Sequence, residues 1–188
     1  MRPCKTRARG VSLVEMVTVL FILITATAVA VPSWLHFLSQ YRLSGAAFYL
    51  RGLVREVRSI AASRGSYAGI VFDEIDGEPR LSVHLDGNAN GIRRVDVASG
   101  VDLRIRGPWS LRASFPGIRY GAPPAGASEP PLAGVRLGPS HILSFSPLGS
   151  ATSGTLFLSN DVGVVYGVVV LGATGRVRLG RYREGKWE

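Results

Sequence analysis

Asp86-Gly87-Asn88-Ala89-Asn90-Gly91 sets three oxygen-bearing side chains at alternate positions, the spacing with which a loop wraps a calcium ion. The closing glutamate of such a loop would fall six residues after Gly91, where Val97 stands instead, with Asp96 and Asp102 the acids nearby. The competing reading is a hairpin turn between RLSVHL and IRRVDV, because Asn-Gly suits the positive φ angles of tight turns. The hairpin is the preferred reading, with Asp86, Asn88 and Asn90 kept as the metal candidate. His36, His84 and His141 stand at no ligand spacing from one another and are read as structural. No Gly-x-Ser-x-Gly elbow, Ser-x-x-Lys pair or Gly-x-x-x-x-Gly-Lys phosphate loop occurs, so the chain is expected not to be an enzyme and to need no cofactor.

One carboxylate is out of place. Glu15 sits near the start of an apolar run in which Met16 to Leu38 carries no full formal charge apart from the titratable His36. As a helix at about 1.5 Å per residue, this run reaches across a hydrocarbon core of about 30 Å. A secretory signal has a shorter apolar region, although TATAVAVP imitates a cleavage site, and few core helices are apolar on every face for so long. A membrane span is therefore expected. An acid at the centre of such a span costs about 2.5–3.5 kcal/mol and less near its end, so Glu15 either rests at headgroup level or has a cationic partner. Arg2, Lys5, Arg7 and Arg9 precede the span, which puts that end in the cytoplasm and the remainder across the membrane.

The 188 residues carry 22 Lys and Arg against 13 Asp and Glu, a formal charge of +9. Setting aside the four basic residues before the span leaves 18 against 13, or +5. The arginines are dispersed among acids, which argues against a nucleic-acid partner. The one candidate nucleic-acid strip is GRVRLGRYREGKW, with Arg176, Arg178, Arg181 and Arg183, in which strand alternation puts Arg176 and Arg178 on one face. The only cysteine, Cys4, precedes the span, so a disulfide framework and a cysteine metal site are both excluded for the rest.

The elements follow from periodicity. Leu35, Leu38, Ala46, Tyr49, Leu53, Val57 and Ile60 recur mostly at spacings of three and four, predicting one helix from about Ser12 to Ser63 with an amphipathic second half. Pro32 lies inside it and predicts a kink, since proline lacks the helical N–H and clashes one turn back. Beyond Arg64-Gly65, the runs YAGIVFD, RLSVHL, IRRVDV, VDLRIR, HILSFSP, TLFLS, VGVVYGVVVL and GRVRLGRY read as strands, the last two forming a hairpin through GATG. Gly121 to Gly134, rich in Pro, Ala and Gly, reads as a flexible surface loop. The expected fold class is α+β, a long N-terminal helix packed on antiparallel sheet.

Two stretches carry a family resemblance. A short basic leader ending in Gly10, then VSLVE, then a long apolar helix resembles the class III signal of type IV pilins and type II secretion pseudopilins. ILSFSPLGSATSGTLFLS and VVVLGATGRVRLGRY, with Phe145, Pro147, Gly149, Gly154-Thr155 and Gly175-Arg176-Val177, are similar to the GspH/FimT domain of minor pseudopilins and minor pilins. The resemblance implies a leader, 1–10, removed by a prepilin peptidase after Gly10 and N-methylation of Val11, where the family usually has Phe. It implies a transmembrane and filament-core helix over 11–38, an amphipathic continuation over 39–64 and a periplasmic β domain over 65–188. The α-amino group freed at Val11 would then meet Glu15 of a neighbouring subunit. Expected partners are other pseudopilins or pilins, the peptidase and the bacterial inner membrane. The expected function is that of a minor pseudopilin in the pseudopilus of a type II secretion system. The alternative is a FimT/FimU-like minor type IV pilin serving pilus assembly or DNA uptake.

Overall fold

Helix α1 runs from Leu13 to Arg64, within one residue of its expected ends at both termini. This is a computed structural model, which describes residues 10–121, 134–160, 164–183 and 186–187. The helix continues through Pro32. Gly65, at φ +63°, then takes the left-handed conformation that ends helices without a Cβ clash. By its internal contacts the chain divides into two units, 1–38 and 39–188.

In the second unit, α1 buries Leu43, Ala46, Ala47, Leu50, Leu53, Val54, Val57 and Ala61, a stripe at helical spacing. The arginines of the same stretch stay off that stripe. After the helix come β1 (Ala68–Ile75), β2 (Glu78–Leu85), α2 (Arg94–Ser99), β3 (Leu103–Ser110), α3 (Leu111–Ser114), β4 (Ile118–Tyr120) and β5 (Val135–Arg136). β6 (Ile142–Phe145), β7 (Gly154–Asn160), β8 (Val165–Leu171), β9 (Arg176–Arg183) and β10 (Lys186–Trp187) complete the described elements. They form two sheets, one ordered β3-β2-β1-β6 and one ordered β10-β9-β8-β7-β4 with β5 also on β7; every pairing is antiparallel. The fold is thus α+β, as expected, and the β8–β9 hairpin pairs Leu171 with Arg176 across its turn.

One core joins the helix stripe to a face of each sheet, through Ile70, Phe72, Leu81 and Leu143 on one and Leu156, Leu158, Val168 and Val170 on the other. The opposite face of the first sheet carries a smaller cluster of Val71, Ile92 and Ile142, with Val97 packed against it. Covering both faces explains why β1 reads as a continuous apolar run rather than an alternation.

That cover corrects one expectation. IRRVDV is not a strand: Arg94 to Ser99 is helix α2, so the hairpin expected from RLSVHL into IRRVDV does not form. Both edges of β2 are already taken by β1 and β3. The guanidinium of Arg94 reaches Asp73 and the carbonyls of Phe72 and Ser140, drawing the segment over the sheet face instead of along an edge. The short strands β4, β5 and β10 were not expected, since two or three residues are too few to show a period. Of the expected flexible loop 121–134, residues 122–133 lie outside the described residues.

Candidate functional site

The first half of α1 presents its apolar side chains outward. Val14 is 68 % exposed, Phe21 67 % and Leu35 59 %, and the most apolar 18-residue window buries none of its residues. The hydroxyls in this stretch are satisfied within the helix. Thr18 donates to the carbonyls of Val14 and Glu15, Thr25 to those of Phe21 and Ile22, Thr27 to those of Leu23 and Ile24, and Ser33 to that of Val29. A helix whose backbone and hydroxyl groups are internally bonded asks nothing polar of its surroundings, as a hydrocarbon environment requires. The helix is long and apolar enough to cross a membrane.

Glu15 stands in the first turn, where the helix dipole favours a carboxylate, and among the described residues no cation meets it. Gly10 and Val11 precede the helix in exposed, non-helical backbone.

A second feature lies in the β-bearing unit. Arg51, Arg55 and Arg58 recur at i, i+4 and i+7, one face of α1, and line a recess of about 390 Å³ with Arg176 and Arg178 of β9. Strand alternation turns Val177 into the core and leaves Arg176 and Arg178 exposed. Gly175 also lines the recess and packs closely on Gly149 and Arg58. A Cβ on Gly175 would come 2.5 Å from the Gly149 carbonyl oxygen and 3.3 Å from Arg58 Nε. Among the described residues no acid lines the recess, and none of these five arginines forms an ion pair. Arg51 Nε is buried with no hydrogen-bond partner among them. Like charges one turn apart cost about 0.2–0.5 kcal/mol per pair on a helix, so the arrangement is electrostatically unfavourable when empty of anions.

Of the four arginines expected on a nucleic-acid strip, then, Arg176 and Arg178 share this recess. Arg181 turns away, over the Tyr166 ring at 5.9 Å and donating to Gln40 Oε1. The side chain of Arg183 lies outside the described residues. The helix arginines were legible in the sequence only as the polar side of an amphipathic helix; their i, i+4, i+7 spacing was the available signal.

The Asp86–Gly91 loop is organised around its own amides. Asp86, 6 % exposed, accepts from Asn88 N and Gly91 N through its two carboxylate oxygens. Asn88 Oδ1 accepts from Asn90 N. Asp102, 1 % exposed, accepts from Gly87 N and Arg93 N. Backbone donors thus engage each oxygen of both buried acids, which fixes the loop in the shape that leads into α2. Among the described residues no three His, Cys, Asp or Glu side chains gather as a metal site would need. His84 is buried between Ser82 Oγ at 3.1 Å and the Asp102 carbonyl at 3.2 Å. His36 is exposed on α1, and His141 takes φ +51° in the turn before β6.

Glu78 and Tyr120 have shifted acidities. Hydrogen bonds from Arg112 and Ser110 hold the Glu78 carboxyl below its ordinary value of 4.5. Burial, with Tyr49 adding to it, pushes the Tyr120 phenol well above its usual range, so it stays protonated. Compared with known proteins, the chain matches no family model, no curated protein and no solved structure.

Proposed function

We propose that the chain is a pilin-like filament subunit, specifically a minor pseudopilin of a type II secretion system. The observation that carries the reading is the continuous α1, whose first half exposes apolar side chains while its second half anchors a β domain. Such a helix can rest in a bilayer and later pack among copies of similar helices. Lipid and helical neighbours are comparably apolar, so the exchange costs little and packing decides the balance.

In this reading the basic residues before the span hold the N-terminus in the cytoplasm and the β domain faces the periplasm. A prepilin peptidase cuts after Gly10, and the new α-amino group at Val11 pairs with Glu15 of the next subunit. That pairing offsets the cost of taking a carboxylate into an apolar bundle.

The test is Glu15→Ala in the native host. Membrane insertion is expected to stay at the wild-type level, while recovery of the chain in sheared periplasmic filaments falls at least several-fold. Equal recovery of mutant and wild type would refute the pairing, and a native N-terminus still bearing residues 1–10 by mass spectrometry would refute the subunit assignment. Recovery with type IV pili would move the assignment to the minor pilin.

A further inference from the structure

We infer that the arginine recess between α1 and β9 is a binding site for a compact anion bearing two or more phosphate groups. This goes beyond the subunit role, which uses the other half of α1 and needs no ligand here. Arg51, Arg55, Arg58, Arg176 and Arg178 all line one concavity of about 390 Å³, and among the described residues no acid lines it. A guanidinium is always charged and offers a planar fork matched to phosphate oxygens, so five around one recess call for a multivalent anion rather than a single carboxylate.

The dimensions favour a compact ligand. Arg51 to Arg58 spans about 10 Å along the helix at about 1.5 Å per residue. Arg176 to Arg178 spans about 7 Å along the strand at about 3.4 Å per residue. Among the described side chains the charged track along β9 then ends, because the next arginine, Arg181, is turned onto Tyr166 and Gln40. An extended polyanion would find no continuation there, whereas a diphosphate or a pair of phosphate esters fits within the span. At its wall, Gly175 packs so closely on the Gly149 carbonyl and Arg58 that no side chain fits there.

The experiment is isothermal titration of the full chain in nonionic detergent at low salt, with inorganic pyrophosphate as probe. Saturable binding of one pyrophosphate per chain is expected, weakened about tenfold or more by Arg55→Ser with Arg178→Ser, the loss expected for two charge-assisted contacts. Arg42→Ser with Arg104→Ser, an equal charge change at two exposed arginines outside the recess, is expected to leave binding unchanged. Undiminished binding by the Arg55/Arg178 variant, or equal loss in the Arg42/Arg104 variant, overturns the site. Near-ultraviolet circular dichroism reports whether each variant is folded. Should the double serine variant unfold, Arg55→Lys with Arg178→Lys replaces it and is also expected to bind more weakly, having kept the charge but lost the fork.

Repeating the titration in micelles doped with cardiolipin, whose headgroup carries two phosphates, separates the two sources of phosphate. Loss of the pyrophosphate signal identifies a lipid headgroup as the occupant, and an unchanged signal identifies a soluble phosphate; either supports the site. A mixed-sequence oligonucleotide that binds through these arginines and resists displacement by saturating pyrophosphate would overturn the compact ligand. These readouts do not depend on filament assembly, so the site and the subunit role fail separately.

Discussion

Glu78 is a residue whose ionisation is tied to folding. Arg112 and Ser110 hydrogen-bond its carboxylate and hold its pKa below the ordinary 4.5. A carboxyl held low in the folded state contributes its stability in full above the unfolded value and loses it as pH falls through the folded one. Glu78→Gln should therefore lower the melting temperature at neutral pH, and the gap from wild type should close as pH drops below about 4.5. A gap constant from pH 7 to pH 3 would show that the charge contributes nothing. Asp102 makes a different prediction. Asp102→Ala leaves Gly87 N and Arg93 N without their acceptor, at about 1–3 kcal/mol for each amide that stays dry. Thermal unfolding should register that loss clearly, whereas Asn88→Ala, losing one exposed 3.3 Å bond, should register little. Individual residues were unevenly legible in the sequence. The alternation of Asp86, Asn88 and Asn90 was visible, but not that their oxygens bond loop amides. Arg176 and Arg178 could be placed on one strand face, yet their meeting with Arg51, Arg55 and Arg58 depends on how β9 packs beside α1, which no local pattern encodes.

At the scale of elements, α1 contains two chemically distinct halves. Leu50 is fully buried in the core that joins α1 to the sheets, and Leu50→Ala should cost about 2–5 kcal/mol of unfolding free energy. Leu20, 54 % exposed and outside the core, should leave unfolding of the β-bearing unit unchanged when replaced by alanine. Paired denaturant titrations of the two variants would check this contrast. Long elements were the easiest to read: 52 helical residues with a clear stripe gave both ends of α1 to within one residue. β1, β2 and the β8–β9 hairpin were legible for the same reason. IRRVDV failed because its alternation is genuine but local, while Arg94 binding to Asp73 and two carbonyls pulls the segment across a sheet face. β4 and β5 depend on pairing to β7 and have no pattern of their own.

Across the whole molecule, the core begins at Leu43, inside the unit 39–188. Residues 39–188 alone should fold without detergent and melt within a few degrees of the full chain, since a change of about 1 kcal/mol shifts a domain of this size by about 2–8 °C. The same fragment should no longer sediment with membranes. Aggregation or a much lower melting temperature would mean that the apolar half also holds the β domain together. Ser39 and Gln40, at the new terminus, would keep their bonds to Asn160 and Arg181.

The acid-bound loop has a bearing on how the protein ages. Asp86-Gly87 and Asn90-Gly91 are sequences prone to cyclise, the glycine nitrogen attacking the preceding side chain to leave an isomerised or deamidated site. In the fold, Gly87 N is committed to Asp102 and Gly91 N to Asp86, which turns both nitrogens away from that attack. Chemical damage at these two bonds should thus accumulate in unfolded copies and spare folded ones, leaving a covalent record of how long each chain spent without its native structure.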